Sequence, residues 1–175
     1  MTSRTFRNRL LAVVLAMMAA ISLCRAQEDQ MGALLGETLS KLPQNAGPEA
    51  VQDCVAQLKR IEAMFPDSAL PKYHIALQSL YFAVMNPHAE QTESLVAEAQ
   101  EAILRMERIK DADRSDLYTL KGFLYMVRIV QDPAQNGRRY YLDVMDYYEK
   151  ALKINPENQV ARMLQQKFME GMKNR

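Results

Sequence analysis

Apolar residues recur along this chain at steps of three and four, and each run closes on a helix-breaking residue. Val51, Cys54, Val55, Leu58 and Ile61 make one such run, ahead of Pro66. Leu95, Val96, Ala99, Ala102, Ile103 and Met106 make a second, ahead of Asp111. Tyr141, Val144, Tyr148, Ala151 and Leu152 make a third, ahead of Pro156. Such steps place the side chains on one stripe of an α-helix, and no segment has the alternation of a half-buried strand. The three stops lie 45 residues apart, and so do Tyr73 and Tyr118 in the segments that follow the first two. Tyr73, Ala76, Leu77, Leu80 and Val84 form one following stripe, and Tyr118, Gly122, Tyr125 and Ile129 the next.

The punctuation predicts helices over roughly 30–42, 48–64, 70–86, 89–109, 115–131, 139–154 and 157–172. Asn86-Pro87, Gln131-Asp132-Pro133, Asn136-Gly137 and Asn155-Pro156 read as turns or helix ends, and Ser115 as an N-cap. The link 131–139 is expected to be a long loop. A period this long, in which one helix cannot bury both its own stripe and its neighbour's, predicts helix pairs that stack on one another. The last stretch places Met163, Leu164, Phe168 and Met172 on one stripe, as a capping helix or, if left uncovered, a dimer surface.

The first residues change the picture. Arg4, Arg7 and Arg9 precede an almost wholly apolar run from Leu10 to Leu23, and Cys24-Arg25-Ala26 offers small residues ahead of a polar stretch. This is the layout of a secretory signal peptide over 1–26, cleaved after Ala26, with the mature domain over 27–175. The expected location is periplasmic or secreted. A lipid anchor at Cys24 fits less well, because Leu23 stands where such signals carry a small residue. Cleavage removes four of the 22 Lys and Arg and none of the 21 acids, leaving 18 against 21. That balance gives no basic footprint for nucleic acid. It also leaves Cys54 as the only cysteine, read as a small buried residue.

Tyr147-Tyr148-Glu149-Lys150-Ala151-Leu152-Lys153-Ile154-Asn155-Pro156 resembles the second helix and closing proline of a tetratricopeptide repeat. Tyr118, Gly122 and Tyr125 resemble the aromatic, small residue and tyrosine of that repeat's first helix, while Lys121 and Val144 depart from its Leu and Ala. Leu58, Ile61 and Pro66, Tyr73 and Ala76, and Ala99 and Ala102 are similar to further, degenerate copies, so the likeness spans about 48–160. It implies an all-α, right-handed α-solenoid of antiparallel helix pairs with a C-terminal capping helix. It further implies a non-catalytic scaffold or adaptor that binds a protein or peptide partner along a groove. The expectation is therefore no enzyme, no cofactor, no metal and no transmembrane segment in the mature chain, with a homo-oligomer as the alternative.

On that resemblance, His74, Gln78, Tyr81 and Phe82 fall on the groove-lining face of a first helix, and Thr119, Phe123 and Met126 follow one repeat later. Aromatics and methionine suit a protein-binding surface, but Phe82, Phe123 and Met126 read more readily as core between helices. Arg138 and Arg139, beside Tyr140 and Tyr141, read either as a grip for an acidic peptide or as partners of Asp143 and Asp146. His74 and His88 have no companion at metal-ligand spacing. A ligand or hydrolytic pocket around His74 is the remote third reading. Asp111, Asp113 and Asp116 lack the Gly and Glu of a calcium loop and read as capping residues at a helix start.

Overall fold

The computed structural model describes residues 25–43 and 45–173, which are all-helical without a strand. The chain divides into two compact units after Ser40. The described part of the first is a helix over 25–40, here α1, in which Met31 and Leu35, one turn apart, are buried. Residues 1–24 of the expected signal peptide, Cys24 among them, lie outside the described residues. Arg25 and Ala26 are helical.

The described residues of the second unit hold six helices: α2 (Pro48–Met64), α3 (Ala69–Met85), α4 (Thr92–Glu107), α5 (Arg114–Gln131), α6 (Pro133–Ile154) and α7 (Gln159–Lys173). Pro48 opens α2 at a position where its missing N–H has no partner to lose. Every member of the two stripes expected on α2 and α4 is buried. Ser68 caps α3, its hydroxyl accepting from the Leu70 amide. Helix α3 buries residues on most of its faces, because α2, α4 and α5 all pack against it.

Two boundaries differ from expectation. The link between α5 and α6 is one residue, Asp132, rather than a loop over 131–139. Asp132 ends α5 by donating its amide to the Arg128 carbonyl, and starts α6 by accepting the Gln135 amide. Pro133 takes the first helical position, so the Asp-Pro pair starts a helix where a turn was expected. Asn136 and Gly137 lie inside α6, where Asn136 Nδ2 donates to the Arg128 carbonyl at 2.7 Å. The cap of α5 is Asp113, whose carboxylate accepts from the Asp116 amide at 3.0 Å. Ser115 is instead buried within the helix, and its hydroxyl donates to the Ala151 carbonyl of α6 at 2.9 Å.

The most extensive interfaces join α5 with α6 and α3 with α4. Alternate helices also meet, α3 on α5 and α5 on α7. The α5–α6 contact is close at Gly122. A Cβ there would lie 2.9 Å from Cε1 of Tyr148, a ring that is fully buried. Around it, Tyr118 and Tyr125 of α5 interleave with Tyr140 and Tyr147 of α6, with ring centroids 4.9–6.0 Å apart. At the far side Asn158 caps α7, its side-chain oxygen accepting from the Ala161 amide. The same side chain donates to Ser115 Oγ and Asp116 Oδ1, each at 2.9 Å, which fastens the start of α7 to α5.

Candidate functional site

The face of α3 singled out in the sequence is only partly open. His74 and Gln78 are half-buried, as is Tyr81, whose ring meets Phe123 edge-on at 5.1 Å. Four of the expected groove residues are core: Phe82, Thr119, Phe123 and Met126 are all buried. Their interactions explain why. Thr119 donates to the Ser115 carbonyl at 2.8 Å and lies 3.4 Å from Asn158 Nδ2. The Met126 sulfur accepts from the Tyr148 hydroxyl at 3.6 Å. Buried in this way, the four residues lie in the core rather than on an open groove.

His74, Gln78 and Tyr81, at steps of four and three, share the stripe of α3 that stays accessible. The His74 ring meets Tyr73 edge-on at 5.2 Å. Its Nδ1 is buried with no hydrogen-bond partner among the described residues. Burial holds its pKa below the usual imidazole value, so the ring is neutral at pH 7. Burial raises the Tyr81 hydroxyl's pKa.

Arg138 and Arg139 stand on α6 and are exposed. The Arg139 guanidinium lies 5.0 Å from the centre of the Tyr140 ring. Neither arginine forms an ion pair among the described residues. The alternative pairing with Asp143 or Asp146 is also absent, and Asp146 instead accepts from Lys150 at 2.6 Å. The two neighbouring tyrosines turn inward, Tyr140 onto Tyr125 and Tyr141 onto Phe168.

A second site emerges where the C-terminal turns of α2 and α4 meet the start of α3. It is an open basin of about 550 Å³ lined by Lys59, Glu62, Ala63, Pro66, Lys72, Arg105, Arg108 and Ile109. Glu62 is its hub. It accepts from Arg105 Nε at 2.8 Å and Nη2 at 3.1 Å, and lies 3.6 Å from Lys72 Nζ. Lys72 is only 4% exposed, and its ammonium also donates to the carbonyls of Pro66 and Ser68 at 2.6 and 2.9 Å. Behind them Glu98 accepts from Lys59 at 2.7 Å and from Arg105 at 3.3 Å. Burial alone would raise the Glu98 pKa, but the hydrogen bonds from Lys59 and Arg105 outweigh it and hold the carboxylate below its usual range. The hydrogen bond to Glu62 likewise raises the Arg105 pKa.

No local spacing announces this basin, because Arg105 and Glu62 are 43 residues apart. The sequence signal was only Arg105 and Arg108 at the end of α4, which the helix dipole accounts for equally well.

Cys54 is buried and unpaired, and burial raises its thiol pKa. Among the described residues no three His, Cys, Asp or Glu side chains gather as a metal site, and no helix is long and apolar enough to cross a membrane. Comparison with known proteins finds no matching family model, no similar curated protein and no similar solved structure.

Proposed function

We propose that the protein is a non-catalytic scaffold or adaptor of the bacterial cell envelope, holding a protein or peptide partner on a helical-repeat surface. In this reading it is exported by its leader and folds as a right-handed α-solenoid of tetratricopeptide-like antiparallel pairs. The observation that carries the reading is the contact of alternate helices, α3 with α5 and α5 with α7, while α3 and α5 each have their most extensive interface with the helix that follows. The 45-residue period of the sequence coincides with that step. Gly122 against Tyr148 supports the likeness, since these are the small and aromatic positions of the repeat pattern. A fold alone assigns no function. The binding part of the proposal therefore rests on the accessible stripe of His74, Gln78 and Tyr81.

Affinity capture after mild cross-linking in cells tests it, with a parallel strain carrying His74→Ala and Gln78→Ala. These two positions are half-buried, so the change spares the core, whereas removing the Phe123 ring would cost about 3–5 kcal/mol. Recovery of specific envelope proteins, lost in the double variant, is the expected result. Recovery of the chain alone from both strains would refute the adaptor.

A second reading, self-association, draws on the exposed apolar side chains of α6, above all Leu142 at 74% and Ile154 at 53%. Light scattering across a concentration series distinguishes it: a mass that grows with concentration favours the assembly subunit.

A further inference from the structure

The α2/α4 basin keeps cationic charge beyond what its own ion pairs use. Lys59, Lys72, Arg105 and Arg108 line it, while Glu62 within and Glu98 behind supply two carboxylates, a formal balance of +2. The C-terminal ends of α2 and α4 each add about half a negative charge and the start of α3 about half a positive one, leaving about +1.5. The free part of that charge has an address. Lys72 is buried against two carbonyls and Glu62, and Arg105 is held on both carboxylates, so neither turns outward without breaking these bonds. Arg108 is exposed and has no ion pair among the described residues. Lys59, half-exposed, spends one donor on Glu98.

The uncharged lining residues of the basin, Ala63, Pro66 and Ile109, are apolar. The basin is too open to enclose a small molecule, which a binding pocket buries over most of its surface. It suits a chain laid across it, with an anionic group toward the two cations and an aliphatic side chain toward the apolar floor.

We propose that this basin binds an extended acidic segment of a partner protein, a carboxylate engaging Arg108 and Lys59 beside an aliphatic residue on Ala63, Pro66 and Ile109. The proposal rests on the protein-binding reading above but uses a different surface from the α3 stripe. Arg108 suits the task because its planar guanidinium takes a carboxylate through two parallel hydrogen bonds.

Fluorescence anisotropy tests it on the whole protein, with a labelled twelve-residue peptide alternating Glu and Leu and a second alternating Gln and Leu. The Glu peptide is expected to bind, weakening as salt rises, and the Gln peptide to bind at least about tenfold more weakly. Arg108→Glu is expected to lower affinity for the Glu peptide by at least about tenfold with unchanged helical circular dichroism, and Lys59→Gln by less. Equal binding of the two peptides, or no effect of Arg108→Glu, overturns the proposal. So does sedimentation with phosphatidylglycerol vesicles that Arg108→Glu abolishes while the peptide fails to bind, which would make the basin a membrane contact. The cell capture separates the two readings. Envelope partners retained by Arg108→Glu but lost with His74→Ala and Gln78→Ala overturn the basin and leave the adaptor standing. Capture of the chain alone overturns the adaptor, and with it a foreign owner for the peptide.

Discussion

Gly122→Ala and Gly137→Ala are the same chemical change inside two adjoining helices, and opposite outcomes are expected. Replacing glycine by alanine in a helix interior gains about 1 kcal/mol of propensity. At Gly137 the new methyl meets nothing within 4 Å, so that gain stands alone. At Gly122 the methyl would lie 2.9, 3.1 and 3.2 Å from Cε1, Cδ1 and Cζ of Tyr148. That ring is rigid and fully buried, and its hydroxyl is held at Met126, so either the ring or the two helices must shift. Overpacking of this kind costs about 1–3 kcal/mol. The propensity gain is common to both variants. The difference between them therefore isolates the packing cost, with Gly122→Ala less stable by about 1–3 kcal/mol. Urea denaturation followed by circular dichroism measures it. Adding Tyr148→Leu to Gly122→Ala should recover part of the loss, a positive coupling in a double-mutant cycle. A difference below about 0.5 kcal/mol between the two alanine variants, within ordinary additivity error, would refute the close-contact reasoning.

Asn158→Ala removes the donor to Ser115 Oγ and Asp116 Oδ1 and leaves the buried Ala161 amide without its acceptor, a cost of about 1–3 kcal/mol; amide exchange should then speed in α7 more than in α3. The Asp116 pKa is raised above 3.8 by burial and then by the neighbouring Asp113, despite the hydrogen bond from Asn158. Its protonated form is thus favoured by folding, and its contribution falls as pH rises from 3.8 through the folded value. Asp116→Asn should flatten that component when urea stability is compared just above pH 3.8 and at pH 7. His74, whose pKa is lowered by burial, runs the other way: stability falls as pH drops from 6.5 through its folded value, a loss that His74→Ala should abolish. Cys54, buried and with a raised pKa, should react with a maleimide only as fast as the helices open, and far faster in urea.

Periodicity made most of the fold readable in advance. The stripes on α2 and α4 are the buried faces found, and the 45-residue register separates helices that are in contact, α3 with α5 and α5 with α7. What failed has specific causes. Asp132-Pro133 is chemically both a turn signal and a helix start, and a lone dipeptide does not tell which. Ser115 looked like a cap because hydroxyls favour that position, yet Asp113, two residues earlier, holds it and frees Ser115 to bond α6. Phe82, Thr119, Phe123 and Met126 lie on helical stripes that pattern alone does not assign to a groove or to a neighbouring helix. Tyr81 on Phe123, Tyr148 on Met126 and Asn158 on Thr119 put these three in the core, and Phe82 is buried with them. The α2/α4 basin was out of reach because three separate helices build it.

The single residue joining α5 to α6 has a consequence for how the chain finds its fold. The most extensive interface in the second unit closes across Asp132 alone, so its contacts form between segments close in sequence. Such local closure loses little chain entropy and is fast, whereas α3 on α5 must wait for longer loops to close. The α5–α6 hairpin, with Tyr148 seated on Gly122, is therefore expected to be structured in the folding transition state. A conservative truncation at Tyr148 should slow refolding, while one at Val51 in α2 should chiefly speed unfolding. Equal effects of both on refolding would place the nucleus elsewhere.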